Sequence, residues 1–177
     1  MYRLLVVDDE ENILHSLRRI FSKRKEWEIV TCSDPLEAVD IAKDSNFDLF
    51  LSDYRMPGMN GVEFLTRTKE TNPHSMRIIL SGATDFDGLV EAINKAEIYR
   101  FISKPVNPHE LILTINQALR LNDLVNENRV LADKVRTQKT ELDRREIALK
   151  KLSEEHPLIT QVNWADDGSI ILDEDDL

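Results

Sequence analysis

An aspartate, Asp53, ends a mainly apolar run that begins at Phe47, and the turn residues Pro57 and Gly58 follow it closely. A short apolar run bounded by turn residues is typical of a buried strand in a parallel sheet. The carboxyl end of such a strand is where open α/β sheets form their ligand crevice. Asp53 is therefore a candidate nucleophile, since a carboxylate in this place can accept a phosphoryl group.

Polar side chains also end three further apolar runs of the chain: they are Asp8 and Asp9, Ser81, and Lys104. Because the carboxyl ends of parallel strands share one edge of a sheet, we expect these groups to lie near Asp53. Three carboxylates would repel one another unless a cation held them, and hard oxygen ligands suit Mg²⁺, with Mn²⁺ as an alternative ion. Lys104 and the Ser81 hydroxyl would contact the phosphate oxygens.

Each of these groups also has an ordinary structural explanation. The acidic pair favours the start of a helix through the helix dipole. Ser81 before Gly82 is typical of a turn, and Lys104 before a proline is typical of a solvated loop. A carboxylate that ends a buried strand is harder to explain, because its burial needs compensation. The joint occurrence at four strand ends favours the functional interpretation.

Five predicted strands alternate with five predicted helices before residue 121. The predicted strands are residues 4–7, 27–31, 47–53, 77–80 and 100–102. Helix-capping signals follow several of them: Asp34-Pro35, Asn60-Gly61, Thr84 or Asp85, and Asn107-Pro108. Strict alternation predicts an α/β protein with a five-stranded parallel sheet and right-handed crossovers.

With these motifs, the chain resembles the receiver domains of two-component response regulators over about residues 1–120. The matching residues are Asp8-Asp9, Asp53 before Tyr-Arg-Met-Pro-Gly-Met-Asn-Gly, Ser81-Gly82, Phe101 and Lys104-Pro105. The resemblance implies a doubly wound, flavodoxin/CheY-like sheet. It also implies a signalling domain rather than an enzyme, in which Asp53 accepts a phosphoryl group from a sensor histidine kinase or a phosphotransfer protein.

The resemblance implies a role for each matching residue. The metal ligands would be Asp8, Asp9, Asp53 and the backbone carbonyl of Arg55. Lys104 would pair with the phosphate. Ser81 and Phe101 would form a switch pair, in which the hydroxyl moves toward the phosphate and the ring turns inward behind it. The segment Ile98–Pro105 is similar to that of a subgroup found in hydrogenase-gene regulators and in HD-type cyclic-di-GMP phosphodiesterases.

The last predicted receiver helix, which begins at Pro108, continues past residue 120 without a further proline or any glycine up to Leu152. Apolar residues recur there at coiled-coil spacing. The predicted dimer seam is Leu121, Leu124, Asn128, Leu131, Val135, Leu142, Leu149 and Leu152. Because Asn128 is the type of residue that fixes register in parallel pairs, we expect a parallel homodimer. Gln138 and Arg145 weaken the seam, so the alternative is a lone helix folded back on the receiver.

The chain beyond this helix is acidic. Pro157 ends the helix, and two short apolar runs around an Asp-Gly pair predict a small β-hairpin. Residues 153–177 hold eight acidic groups and no Lys or Arg. The expected organisation is a receiver domain over 1–120, a coiled-coil helix continuous with it over 121–154, and an acidic tail with a hairpin over 155–177.

Composition limits the partners. The net charge is −10 and the basic residues form no concentrated patch, which disfavours a nucleic-acid partner. No apolar run is long enough for a membrane span or a signal peptide. Cys32 is the only cysteine, which excludes a disulfide framework and a Cys-based zinc site. We therefore expect a cytoplasmic protein without nucleic-acid or membrane partners.

Residues 121–177 contain no helix-turn-helix, GGDEF or HD signature, so no DNA-binding or enzymatic output domain is recognisable there. The first functional hypothesis is a phospho-switch whose coiled-coil dimer passes the state of Asp53 to an unknown downstream protein. The second is a receiver fragment of a longer regulator, whose output is a cyclic-di-GMP enzyme or a transcription factor. The third is a constitutive dimeric scaffold in which Asp53 is never used.

Overall fold

The structure is a computed structural model that describes residues 1–82, 96–155, 163–164 and 170–171. Its strands and helices, in chain order, are β1 (Tyr2–Val7), α1 (Glu11–Phe21), β2 (Trp27–Cys32), α2 (Pro35–Asp44), β3 (Leu49–Asp53), α3 (Gly61–Thr71), β4 (Met76–Ser81), β5 (Arg100–Ser103), α4 (Pro108–Glu155), β6 (Asn163–Trp164) and β7 (Ile170–Ile171). The predicted helix that Thr84 or Asp85 would cap lies outside the described residues, apart from Ala96.

The first five strands form one parallel sheet in the order β2-β1-β3-β4-β5. This order places β1 in the interior of the sheet, so the chain winds outward in one direction to β2 and in the other to β5. That is the doubly wound arrangement, and the predicted fold class is confirmed. Its topological switch point lies between β1 and β3, which is where a ligand crevice is expected.

Both faces of the sheet are covered by helices, which explains why the interior strands β1, β3 and β4 are mainly apolar. Leu4 and Val6 of β1 belong to a core cluster that includes residues of α1 and α4. Leu5 and Val7 belong to a second cluster, which includes residues of α2 and α3. The alternation follows from the period of a strand, since successive side chains point to opposite faces.

The predicted capping residues begin the helices. The Asp34 side chain accepts a hydrogen bond from the Leu36 N–H at 2.8 Å, and Pro35 is the first residue of α2. The Asn60 side chain accepts from the Glu63 N–H at 2.9 Å at the start of α3. These caps satisfy backbone donors that a helix start leaves unpaired, and they fix where α2 and α3 leave the carboxyl edge of the sheet.

Arg77, near the start of β4, is a buried charge outside that edge, with 4% of its side chain exposed. Its Nε donates to the Ala96 carbonyl at 2.8 Å, and its Nη1 donates to the Asn72 carbonyl at 3.3 Å. Its Nη2 lies 3.5 Å from Glu97 Oε2. Burial lowers the pKa of Arg77, while the Glu97 carboxylate acts in the opposite direction. These contacts tie the residues that lead into β5 to β4.

Replacing Arg77 with methionine is expected to lower the free energy of unfolding by about 2–4 kcal/mol, because two buried carbonyls lose their donor. Denaturant titration measures this. The matched control is Arg67→Met, since the Arg67 side chain is 49% exposed and pairs with Glu63 at i,i+4. We expect the control to change stability by less than about 0.5 kcal/mol. Equal losses in the two variants would contradict the structural role of Arg77.

The chain divides into two compact units, Met1–Glu127 and Asn128–Leu177. In the first unit, α4 buries one stripe of side chains: Leu111, Thr114, Ile115, Ala118, Leu119 and Asn122. The second unit contains the rest of α4 and the antiparallel pair β6 and β7, in which Trp164 lies opposite Ile170. This pairing agrees with the predicted hairpin, whose turn residues lie outside the described residues.

Across the part of the chain that the structure describes, no helix is both long enough and apolar enough to span a membrane.

Candidate functional site

Four of the polar residues predicted from the strand ends lie at the carboxyl edge of the sheet. Asp8 directly follows β1, Asp53 ends β3, Ser81 ends β4, and Lys104 directly follows β5. The register is consistent with this, because Asp53 lies opposite Leu80 of β4, the residue before Ser81. Since β1, β3, β4 and β5 are consecutive in the sheet, the edge presents these side chains side by side.

Lys104 joins the two buried carboxylates. Its Nζ lies 2.5 Å from Asp53 Oδ1 and 3.0 Å from Asp8 Oδ2. The Asp8 side chain is fully buried, and 9% of the Asp53 side chain is exposed. One ammonium therefore compensates two carboxylates that would otherwise be buried without a partner.

The environment shifts the pKa values of two of these groups. Burial raises the pKa of the Asp8 carboxyl, although the hydrogen bond from Lys104 acts in the opposite direction. Burial by itself lowers the pKa of Lys104, but the hydrogen bonds to Asp53 and Asp8 outweigh it and hold the pKa above the ordinary lysine value. Lys104 is therefore charged at neutral pH, and on the alkaline side the stabilisation it provides is lost as the pH rises through its folded-state pKa.

Backbone amides hold the second oxygen of each carboxylate. The Arg55 N–H donates to Asp53 Oδ2 at 3.0 Å, and the Glu10 N–H donates to Asp8 Oδ1 at 3.0 Å. Each carboxylate thus has one oxygen on Lys104 and the other on a backbone donor. Two contacts of this kind fix the orientation of the Asp53 carboxylate, which is what a nucleophile needs for in-line attack.

Gly61 is a residue of the site that the sequence analysis did not single out. A Cβ at Gly61 would lie 2.0 Å from the backbone carbonyl oxygen of Asp53. The Gly61 N–H donates to the Tyr54 carbonyl at 2.9 Å, and the Tyr54 N–H donates to the Leu80 carbonyl at 2.9 Å. The start of α3 therefore packs directly on the end of β3. The sequence offers two signals: Gly61 ends the motif that follows Asp53, and it forms the Asn60-Gly61 pair, which we interpreted as a helix start.

Ser81 is buried, and its hydroxyl has no hydrogen-bond partner among the described residues. A buried polar group without a partner costs about 1–3 kcal/mol. Phe101 is partly buried and packs on the core cluster that contains Ile79, its neighbour across the β4–β5 register. Because Ile79 and Ser81 are two residues apart, Ser81 and Phe101 lie on the same face of the sheet. The structure thus places the predicted switch pair together on that face.

The predicted metal ligands are placed less uniformly. Asp9 is exposed, whereas Asp8 and Asp53 are buried. Within residues 1–82 and 96–155, no group of three His, Cys, Asp or Glu side chains could hold a metal ion. The donors that do lie together are nevertheless hard oxygens, and Mg²⁺ needs only one or two carboxylates because it keeps several water ligands. The chemistry of the residues therefore fits Mg²⁺ or Mn²⁺.

Replacing Lys104 with glutamine is expected to lower the free energy of unfolding by about 2 kcal/mol at neutral pH, because two buried carboxylates lose their cation. Without the cation, the buried Asp8 carboxyl takes up its proton at higher pH, so the deficit should shrink as the pH falls. Urea unfolding at several pH values measures this. The control is Lys43→Gln, whose side chain is 55% exposed and pairs with Asp40. A deficit that is constant down to acid pH would contradict the ion-pair explanation.

The fold and the site together define a doubly wound α/β protein with an acidic site and a lysine at the switch point of its sheet. The comparison with known families agrees, since residues 4–116 match the response regulator receiver domain. The chain belongs to this family, the receiver domains of two-component response regulators.

Several regulators are similar to this chain. The hydrogenase transcriptional regulatory protein HoxA of Cupriavidus necator is 37% identical over 134 residues, which are 76% of this chain and 27% of that protein. The cyclic di-GMP phosphodiesterase response regulator RpfG of Xanthomonas campestris pv. campestris is 32% identical over 120 residues, which are 67% of this chain and 32% of that protein. The similar region therefore spans about a third or less of these relatives.

Solved structures agree with the fold. The signal receiver domain of an HD domain-containing protein from Pseudomonas fluorescens has a TM-score of 0.65 and 33% identity, covering 69% of this chain and 97% of that one. A CheY-like receiver domain protein from Methanospirillum hungatei has a TM-score of 0.65 and 28% identity, covering 70% and 97%. The shared part is the receiver domain in both.

Proposed function

We propose that Asp53 accepts a phosphoryl group from a sensor histidine kinase or a phosphotransfer protein. The observation that carries this proposal is the pairing of the buried Asp53 carboxylate with Lys104 Nζ at 2.5 Å and with the Arg55 N–H at 3.0 Å. Family membership supports it, since receiver domains interact with such donors. The chain would then act as a signalling domain and not as an enzyme with an external substrate.

In the proposed reaction, an Asp53 carboxylate oxygen attacks the phosphorus atom of the donor's phosphohistidine. A P–O bond forms, the P–N bond breaks, and the imidazole leaves with the electron pair of that bond. The Arg55 N–H orients the carboxylate, and Lys104 exchanges its contact with Asp53 for one with the phosphoryl oxygens.

The metal ion in this proposal is Mg²⁺ or Mn²⁺, held by Asp8, Asp9, Asp53 and the backbone carbonyl of Arg55. When bound, the ion neutralises negative charge on the carboxylates and on the phosphoryl oxygens. The raised pKa of Asp8 fits this role, because a cation would stabilise its buried charge as Lys104 does.

The proposed switch uses the Ser81 hydroxyl, which donates a hydrogen bond to the phosphoryl group. That bond would satisfy a buried hydroxyl that has no other partner among the described residues. As Ser81 moves, Phe101 turns inward on the same face of the sheet. The surface near β5 then reports the state of Asp53 to a downstream protein.

The experiment that tests phosphorylation incubates the whole chain with a radiolabelled small-molecule phosphodonor, with Mg²⁺ in one sample and with a metal chelator in the other. We expect label on the chain only when Mg²⁺ is present, and we expect it to be lost in base, as an acyl phosphate is. Equal label in both samples, or a base-stable label, would contradict the proposal.

The proposal for the C-terminal part is a homodimer formed by α4. The predicted seam is apolar at seven positions, and all seven side chains are exposed: Leu121, Leu124, Leu131, Val135, Leu142, Leu149 and Leu152. A stripe of this kind is usually covered by another helix. We also propose that the receiver domain covers residues 1–120, that the coiled-coil helix covers residues 121–154, and that the protein is cytoplasmic. Asn128 favours a parallel orientation of the two helices, whereas the charged residues that flank the seam favour an antiparallel one.

A second candidate function is favoured by the lengths of the relatives. The similar regions are 27% of the hydrogenase regulator and 32% of the phosphodiesterase response regulator. On this ground, the second proposal is that the chain is the receiver part of a longer regulator whose output is a transcription factor or a cyclic-di-GMP enzyme. Sequencing the gene through its stop codon separates the two candidates, because only a fragment has coding sequence beyond residue 177.

A further inference from the structure

We propose that α4 pairs with a second copy of itself in the antiparallel orientation. This inference rests on the proposed dimer and names the arrangement of its seam, which differs from the parallel pair predicted from Asn128 alone. It is carried by the exposed apolar residues of α4 and by the charges beside them. The exposed apolar seam of α4 is therefore covered by the same seam of a second copy of the chain, which runs in the opposite direction.

The seam has the same pattern when it is read from either end of α4. The heptad positions a and d are residues 121, 124, 128, 131, 135, 138, 142, 145, 149 and 152. The midpoint of the seam lies between Arg136 and Thr137, and each half of the seam contains three leucines. In an antiparallel pair, the leucines of the N-terminal half face those of the partner's C-terminal half. The layers are Leu121 with Leu152, Leu124 with Leu149, and Leu131 with Leu142. These leucines are 41–64% exposed, so α4 alone leaves them in water.

One pair of polar seam residues also matches in the antiparallel pair. Asn128 faces the partner's Arg145, so that an amide oxygen lies opposite a guanidinium. Val135 faces the partner's Gln138 at the centre. In a parallel pair, each residue faces its own copy, and Arg145 would lie against the partner's Arg145 inside the seam. The Asn128 layer is favourable in the parallel pair, but the arginine layer is not.

The charges that flank the seam distinguish the orientations further. In a parallel pair, a g residue lies beside the following e residue of the other helix. Lys134 would then meet the partner's Lys139, and Glu141 would meet the partner's Glu146, which are two like-charge contacts on each side. In the antiparallel pair, g residues lie beside g residues, and Lys134 meets the partner's Glu141. The symmetry of the pair makes this attractive contact twice.

An ion pair within one helix does not change this comparison. Arg145 Nη2 lies 2.6 Å from Glu141 Oε1, and both side chains are at least 60% exposed. An exposed i,i+4 pair is weak and rearranges easily. It is also present in both orientations, so it reduces the repulsion between arginines in the parallel pair without removing it.

Charge reversal gives opposite results for the two orientations. In the antiparallel pair, Lys134→Glu places a glutamate beside the partner's Glu141 at each of the two symmetric contacts, and we expect the dimer dissociation constant to rise roughly tenfold at low salt. In a parallel pair, the same change creates an attraction to the partner's Lys139 and tightens the dimer. The double variant Lys134→Glu/Glu141→Lys should return to the wild-type value. Analytical ultracentrifugation of the whole chain measures the dissociation constants of the wild type, the single variant and the double variant.

Cysteine cross-linking tests the layers directly. Leu131→Cys and Leu142→Cys should each give no disulfide dimer alone, and an equimolar mixture should give the mixed dimer on oxidation. The wild-type chain, whose only thiol is the buried Cys32, is the control for background. A parallel pair would give the reverse pattern, with dimers from each variant alone.

The outcomes separate this inference from the proposed dimer. A tighter dimer for Lys134→Glu, or disulfides from the single variants, would overturn the antiparallel orientation and leave the coiled-coil dimer standing. A chain that sediments as a monomer at every concentration would overturn the dimer itself. Neither result bears on phosphorylation of Asp53, which has its own test.

Discussion

Replacing Asp53 with asparagine is expected to abolish phosphorylation of the chain. The amide oxygen of asparagine is a poor nucleophile, and it carries no negative charge for Lys104 to compensate. Asparagine has nearly the same shape as aspartate and can still accept the Arg55 N–H, so the fold should persist. Because Lys104 keeps its contact with Asp8 at 3.0 Å, we expect the free energy of unfolding to stay within about 1 kcal/mol of wild type.

The measurement is the radiolabel from a small-molecule phosphodonor in the presence of Mg²⁺, followed over time for wild type and variant. Asp44→Asn is the matched control, since Asp44 is an exposed aspartate at the end of α2. The control should take up label at the wild-type rate. Full labelling of Asp53→Asn would show that another residue accepts the phosphoryl group, which would remove the main reason for our assignment of this site.

The sheet could be predicted because its interior strands are buried on both faces and are therefore mainly apolar. The runs 4–7 and 77–80 correspond to β1 (Tyr2–Val7) and β4 (Met76–Ser81) with small differences at their ends. The strand predicted from Phe47 begins two residues later, at Leu49. The Phe47 N–H instead donates to the Asn72 side chain at 3.0 Å, a long-range contact that the hydrophobic pattern of the sequence does not predict.

The candidate site could be predicted because one rule applies to all its members: the ends of parallel strands share an edge. This rule brings together Asp8, Asp53 and Lys104 although they are far apart in the sequence. It does not distinguish Asp8 from Asp9, since the two residues have the same side chain. Their different burial is a tertiary feature, since Asp8 lies against Lys104 from another strand end while Asp9 is exposed.

Two other features depend on tertiary packing alone. Arg77 was expected simply to begin a strand, and its burial results from the carbonyls that converge on its guanidinium. The contact of Gly61 with Asp53 arises because α3 starts directly above the end of β3. In both cases the sequence shows the residue type but gives no indication of the neighbour that makes it necessary.

Replacing Gly61 with alanine is expected to damage the site and the fold together. The new Cβ would lie 2.0 Å from the Asp53 carbonyl oxygen and 3.0 Å from Ser52 Oγ. Neither the strand backbone nor the first turn of α3 can yield without loss, because the Gly61 N–H donates to the Tyr54 carbonyl and the Asn60 side chain caps the same turn. We expect the free energy of unfolding to fall by about 3 kcal/mol or more.

Denaturant titration measures this loss, and binding of beryllofluoride with Mg²⁺ measures the damage to the site. Gly58→Ala is the matched control: Gly58 has φ +79°, but a Cβ there would meet no atom within 4 Å. Its cost is limited to about 1–2 kcal/mol of left-handed backbone strain, and beryllofluoride should still bind. If Gly61→Ala lost no more stability than Gly58→Ala and bound beryllofluoride normally, α3 would not be packed on Asp53 as closely as described. The expected difference between the two variants isolates the contact between helix and strand from the conformational preference of glycine, since only Gly61 has the Asp53 carbonyl against its α-carbon.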